Sequence, residues 1–162
     1  IDFVTELFRK AQEKGIHTTL DTSANPFTTK EPFYSKWKEL MQYTDLILLD
    51  IKHIDPEGHL ELTGQPNDNI LAMARELSDM GKPVWIRHVV VPGITFEEAE
   101  LTELGHFLKT LSNMEKLEVL PYHALGKVKY DNLGMDYVLK DTPQLTKEEA
   151  KKAEQMIRDA MS

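Results

Sequence analysis

The sequence predicts an α/β fold built from parallel β/α units, and three observations carry that expectation. Strand-like segments recur every ~30–35 residues with helical segments between them, the rhythm of a parallel sheet with crossover helices. One of these segments, Leu46–Leu49, is a short, pure apolar run that suits a strand covered on both faces. No Gly-rich phosphate loop is present, so neither a Rossmann nor a P-loop arrangement fits. Right-handed crossovers then leave two architectures, a segment of a barrel or an open doubly wound sheet.

The elements follow in order. Ile1–Lys14 carries Phe3, Val4, Leu7, Phe8 and Ala11 at helical spacing, and Gly15 suits the residue after a helix end. Ile16–Leu20 reads as a short strand closed by Asp21. Thr22–Pro32, with two prolines and several small polar residues, reads as a loop. Tyr34–Tyr43 reads as a helix with Trp37, Leu40 and Met41 inward. Asp45–Asp50 is the strand that contains the apolar run. His53–Pro66 is irregular, with one helical turn after Pro56. Asn69–Met80 is a helix with Ile70, Leu71, Met73, Ala74 and Leu77 inward, ended by Gly81. Pro83–Val91 is a strand rich in β-branched residues, stopped by Pro92-Gly93. Thr95 and Glu98 have the spacing of a capping box for a helix over Phe96–Leu111. Lys116–Leu120 is the fourth strand, Pro121–Gln144 a long loop, and Thr146 with Glu149 a second capping box for a helix that runs to the end.

Composition bounds the function. The 162 residues suffice for a single domain with a sizeable core, and we read 1–162 as one domain. A net charge of −8 argues against nucleic acid or an anionic membrane surface as partner. No segment approaches the ~20 apolar residues of a membrane span, and no signal peptide is present, so the expected location is the cytoplasm. There is no cysteine, which excludes disulfides and any iron–sulfur or zinc–thiolate ligand from these residues. The chain opens on Ile1 in what reads as mid-helix, and we take it as a piece of a longer protein.

Parallel strands bring their C-terminal ends to one face, where chemistry sits in both candidate architectures. That face receives Asp21, then Asp50 and Lys52, then Arg87 onward, then Tyr122 and His123. Asp50 and Lys52 are two apart, so on an extended chain they point to the same side. Aimed into a cleft, this carboxylate and ammonium could hold a zwitterionic, amino-acid-like ligand; equally they could be a structural ion pair. Arg87 sits mid-strand and needs a carboxylate or a ligand, with Glu118 on the next strand the nominated partner. His88 faces the other way and reads as packed under a helix. His123, where a strand breaks into a loop, could donate to a ribose hydroxyl or move a proton, or could simply be exposed. Lys52 could act as a Schiff-base lysine, although Asp50 beside it would keep its ammonium charged. His17, His53, His59 and His106 show no metal-ligand spacing.

Four stretches taken together carry a resemblance: Thr19-Leu-Asp-Thr-Ser23, Thr44-Asp-Leu-Ile-Leu-Leu-Asp-Ile-Lys52, Val84-Trp-Ile-Arg-His-Val-Val-Val-Pro-Gly93 and Leu117-Glu-Val-Leu-Pro-Tyr-His-Ala-Leu-Gly-Lys-Val-Lys-Tyr130. In this order the chain resembles roughly the C-terminal two-thirds of the pyruvate formate-lyase activases, glycyl-radical-enzyme activases among the radical S-adenosylmethionine (SAM) proteins. The resemblance implies an incomplete (β/α)6 TIM-like barrel, of which this chain would supply roughly the last four units. It implies that a reduced [4Fe–4S] cluster cleaves SAM to methionine and a 5′-deoxyadenosyl radical, which takes a hydrogen atom from a glycine of pyruvate formate-lyase. It implies a flavodoxin- or ferredoxin-type electron donor. Carried over by position, Asp50, Ile51 and Lys52 match the SAM-contacting strand end, His123 the histidine near the SAM ribose, and Asp21 and Arg87 the lining of the same cavity. Lys52 would pair with the SAM carboxylate. Asp21 and Asp50 would repel that carboxylate, so a bound monovalent or divalent cation is expected beside them.

The chain departs from the family in lacking the Cys-x-x-x-Cys-x-x-Cys cluster loop and the Gly-Gly-Glu motif, which belong to an N-terminal part that would precede Ile1. These residues alone are expected to be inactive. A smaller departure is Ala24-Asn25, where relatives tend to carry Gly after Asp-Thr-Ser. The competing readings are an activase of another glycyl radical enzyme, a non-catalytic binding module, and a cluster-free lyase using Lys52. A barrel lacking strands would also expose a sheet edge and an apolar face, favouring self-association.

Overall fold

The computed structural model describes residues 1–162. Four strands form one sheet in chain order: β1 (Thr19–Thr22), β2 (Leu46–Asp50), β3 (Val84–Val90) and β4 (Met114–Pro121). β1 pairs parallel with β2 and β2 with β3, placing Asp21 opposite Leu48 and Asp50 opposite Arg87. The strand order never reverses. A doubly wound sheet reverses at its switch point, whereas unbroken sequential order is that of a barrel wall, so the barrel alternative holds.

The chain forms two compact units, Ile1–Arg87 with Thr110–Leu117, and His88–Lys109 with Glu118–Ser162. The first unit contains α1 (Asp2–Gln12), α2 (Phe33–Gln42), α3 (Pro56–Thr63) and α4 (Asp68–Asp79). Its core is made by one face of the sheet, Ile47, Leu49, Val84 and Ile86, and by the inward stripes of α2 (Trp37, Leu40, Met41) and α4 (Ile70, Met73, Ala74, Leu77). Phe27 packs edge-on against Phe33 and Trp37. The opposite sheet face, with Leu46, Leu48, Asp50, Trp85 and Arg87, is half-buried. β2 therefore alternates where its sequence suggested cover on both faces: Ile47 and Leu49 are buried beneath the helices, whereas Leu46 and Leu48 are half-buried.

β1 begins at Thr19, later than its hydrophobicity suggested, and takes in Asp21 and Thr22. A strand needs a ladder partner, and β2 starts at Leu46, opposite Thr19, so Ile16 and His17 have nothing to pair with. Thr18 is held at this entrance by Asp45, whose Oδ2 accepts from the Thr18 backbone N–H (2.8 Å) and hydroxyl (3.0 Å) while Oδ1 accepts from Gln12 Nε2 (3.0 Å). These bonds, the Thr18 backbone N–H first, hold the Asp45 carboxyl below its ordinary value against the opposing effect of burial. A folded value below the unfolded one gives stability that is complete above about pH 4, the unfolded value, and is lost as pH falls through the folded value. Asp45→Asn is accordingly expected to lower urea-unfolding stability at pH 7 by about 1–2 kcal/mol. The difference from the parent should vanish well below pH 4; an equal difference at both pH values would show that the charge does not hold Thr18.

α3 is a full helix rather than a single turn. Asp55 caps it by accepting from the Gly58 N–H (2.7 Å), Pro56 opens it, and Gly64 ends it at φ 72°. Only His59 is buried along it, so it shows no apolar stripe by which to recognise it. His59 Nδ1 bonds the Gln65 carbonyl at 2.7 Å.

The second unit contains α5 (Glu98–Lys109), a 3₁₀ turn (Ala124–Gly126), α6 (Lys127–Leu133) and α7 (Lys147–Met161). α5 and α7 bury Leu101, Leu104, Gly105 and Leu108 against a face of small residues and Ile157, namely Ala150 and Ala153. The capping box of α7 forms as its sequence indicated, Thr146 and Glu149 each bonding the other's backbone N–H. The Thr95–Glu98 box does not form. The Thr95 hydroxyl, fully buried, accepts from the Val91 N–H (2.8 Å) and donates to the Val89 carbonyl (2.8 Å), so it closes the turn after β3 and α5 starts later, at Glu98. The 3₁₀ turn and α6 fall within the expected loop; neither buries a residue, so no periodicity marks them. His88 is fully buried, as expected.

Candidate functional site

The ends of β1, β2 and β3 in the first unit bring four charged side chains together. Register sets this up: Asp50 lies directly opposite Arg87, and Asp21 opposite Leu48, two residues short of Asp50 on the same face. Arg87 Nη1 donates to Asp21 Oδ2 at 2.7 Å, and Arg87 Nε lies 3.7 Å from Asp50 Oδ1. Lys52 Nζ donates to Asp50 Oδ2 at 2.6 Å. The result is a line of alternating charge, Asp21, Arg87, Asp50, Lys52, that sums to zero.

The members of the line differ in what they can still do. The Arg87 guanidinium is engaged by both carboxylates. Lys52 stands at the end, its side chain 36% exposed against 19% for Asp50 and 24% for Arg87. An ammonium has three donors, and Asp50 takes one. An incoming carboxylate therefore meets Lys52 as the accessible cation, and a ligand's ammonium meets Asp21, the most exposed member. Such a rim is complementary to a zwitterion, and poorly matched to a phosphate or a nucleobase.

Four of the six residues singled out in the sequence thus come together. Ile51 contributes differently: its side chain is buried on the covered face, and its N–H donates to the Arg87 carbonyl at 3.0 Å, the ladder bond that fixes the strand end. His123 belongs to the second unit, where it is exposed and extended (φ −141°, ψ 146°) just before the 3₁₀ turn. Glu118, nominated for Arg87, also belongs to the second unit; within the first unit the Arg87 partners are Asp21 and Asp50. The Asp21 pairing joins residues 66 apart and was not legible without the register. No group of three or more His, Asp or Glu side chains is gathered in metal-binding fashion, and the guanidinium itself stands beside both carboxylates where a cation was expected.

The loop after β1 begins at Ser23, two residues beyond Asp21. Ala24 has φ 57°, a left-handed conformation that strains any residue with a Cβ. It is held there by the Thr22 hydroxyl on its N–H (2.9 Å) and by the Phe27 N–H on its carbonyl (2.8 Å). A cavity of about 540 Å³ opens on the same sheet face at the opposite, N-terminal end, among His17, Asp45, Leu46 and Trp85; it holds none of the rim charges.

A sequence profile described as the Radical SAM superfamily matches residues 1–104. The pyruvate formate-lyase-activating enzyme of Streptococcus mutans serotype c is 48% identical over 157 residues, 97% of this chain and 60% of that protein. The enzyme of the same name from Staphylococcus aureus (strain USA300) is 52% identical over 139 residues, 86% of this chain and 55% of that protein. The chain therefore spans 55–60% of the length of these relatives. Among solved structures, a domain of pyruvate-formate lyase-activating enzyme from Bacteroides vulgatus ATCC 8482 superposes with a TM-score of 0.76 at 21% identity, covering 98% of this chain and 86% of that one. A radical SAM methyltransferase from Sphaerobacter thermophilus gives 0.61 at 15% identity, covering 91% of this chain and 40% of that one. These two likenesses speak for the fold.

Proposed function

The chain belongs to the radical SAM superfamily, and on that premise we propose that its charged rim holds the amino-acid end of SAM in a glycyl-radical-enzyme activase acting on pyruvate formate-lyase. The observation that carries the proposal is the neutral line of charge ending in an accessible Lys52, which suits the zwitterionic methionine part of SAM. The names of the relatives supply the partner lyase.

In this reading Lys52 takes the SAM carboxylate, and Arg87 holds Asp21 and Asp50 so that neither turns its charge on it. Ile51 fixes the strand end through its backbone, and His123 donates to a ribose hydroxyl. A further cation beside Asp21 and Asp50 would share them with Arg87. No side chain of this chain offers a thiolate, so the ligands of the [4Fe–4S] cluster would come from the rest of the whole protein. SAM and the cluster, when bound, supply the one-electron chemistry that removes a hydrogen atom from a backbone glycine of the lyase, while the protein orients the reactants and excludes water. The electron would come from a flavodoxin- or ferredoxin-type donor, in the cytoplasm. No helix is long and apolar enough to cross a membrane.

The test uses the whole protein that contains this chain, loaded anaerobically with its cluster and mixed with SAM, a chemical reductant and pyruvate formate-lyase. Electron paramagnetic resonance should show a glycyl radical on the lyase, with one 5′-deoxyadenosine formed per radical. A radical on a different glycyl radical enzyme but none on this lyase would replace the partner and keep the reaction. Absence of any SAM cleavage would remove the reading.

A further inference from the structure

Asn67 is the N-cap of α4. A residue of its type there ordinarily turns its side-chain oxygen onto a free N–H of the first helical turn. Asn67 makes no such bond. Its Nδ2 instead donates to the Ile54 carbonyl at 2.7 Å and to the His53 carbonyl at 3.3 Å, 13 and 14 residues back. The side chain is 1% exposed, and its Oδ1 is buried with no hydrogen-bond partner. A helix start has given up its own cap to hold a distant loop.

What that loop carries is Lys52. The Ile51 N–H makes the ladder bond to the Arg87 carbonyl, and β2 has ended at Asp50. Asn67 takes hold at His53. Lys52 is the single residue between these two anchors. The following turn is fixed as well: the Asp55 N–H donates to His53 Nδ1 at 3.1 Å, and the His53 ring lies against Gly58, where a Cβ would come within 2.4 Å of it. The Asn67 amide reaches this loop from the start of a distant helix and grips the main chain next to Lys52, on the side opposite the Ile51 ladder bond.

We infer that Asn67 is a positioning residue, which sets the direction in which the Lys52 ammonium is presented on the rim. The inference rests on the reading of Lys52 as the partner of the SAM carboxylate. Asn67→Asp keeps the shape of the side chain and removes both donors, setting a carboxylate against two carbonyl oxygens. Asn67→Ser is the milder variant, keeping a single donor that cannot span both carbonyls.

The experiment measures binding of SAM, and of 5′-methylthioadenosine, which lacks the carboxylate, to the cluster-loaded whole protein by anaerobic equilibrium dialysis. Asn67→Asp should weaken SAM about tenfold, the low end of what orienting partners are worth around metal ligands, and leave 5′-methylthioadenosine nearly unchanged. Asn67→Ser should do the same to a smaller extent and serves alone if the aspartate variant does not fold. In a Lys52→Met background either change should add almost nothing, because groups acting as one unit are not additive. Equal weakening of both ligands, or the full loss repeated in the Lys52→Met background, would overturn the inference, as would an unchanged SAM affinity. If Lys52→Met itself leaves SAM binding intact, the reading of Lys52 has failed; if it weakens binding and the Asn67 variants do not, only the positioning role has.

Discussion

Lys52→Met is expected to weaken SAM binding by the whole protein about ten- to a hundredfold, with little change in folding stability. The rim is neutral with Lys52 in place, and a methionine leaves one uncompensated carboxylate there. The lost bond to the ligand is a charge-assisted one, worth about 1.5–3 kcal/mol, and each 1.4 kcal/mol is about tenfold in affinity. The loss is compounded because Asp50, deprived of its 2.6 Å partner, then faces an incoming carboxylate. Screening pulls the figure toward its low end, since the Lys52 side chain is more than a third exposed. Stability changes little for the same reason. Lys52→Arg should recover only part of the affinity, because a planar fork on a different stem does not replace a compact ammonium with rotatable donors. Dialysis against SAM checks both variants, and an affinity that does not move would place the ligand's carboxylate elsewhere.

Gly105→Ala is expected to loosen the second unit by about 1–3 kcal/mol, an overpacking effect that lowers the melting temperature by roughly 2–4 °C for each kcal/mol in a chain of this length. A Cβ at position 105 would lie 2.5 Å from the Ile157 carbonyl oxygen and 2.6 Å from the Ala160 Cβ. Neither can turn aside. The first is helix backbone and the second is the root of a side chain, so α5 and α7 would have to separate. That motion would open contacts of Leu101, Leu104 and Leu108, all fully buried. Gly126→Ala is the control, since nothing lies within 4 Å of its Cβ and its φ of −66° suits any residue. Thermal unfolding followed by circular dichroism should separate the two; an equal effect would show that the close approach of α5 and α7 has no energetic consequence.

Much of this was legible in the residues. The apolar periods of α2 and α4 placed both helices within two residues of their observed ends, and the Thr146–Glu149 box marked the start of α7. The period of two puts Asp50 and Lys52 on one side of an extended chain from their spacing alone. α6 and α3 were harder, because a helix that buries none of its residues, or one, leaves no stripe to detect.

By itself the sequence determined the amphipathic helices α2, α4 and α7, the family, the shared side of Asp50 and Lys52, and the lack of any thiolate. Each of these depends on local periodicity, on the order of motifs along the chain or on composition alone. Only the tertiary structure decided which carboxylates Arg87 meets, where β1 begins, that Thr95 closes a turn instead of capping α5, and that Asn67 spends its amide on the loop beside Lys52. A short polar side chain can bond its own helix start, a neighbouring turn or a strand end far away. Local spacing treats these choices as equivalent; strand register and burial decide among them, because a buried donor or acceptor must take whichever partner the packed chain brings within reach.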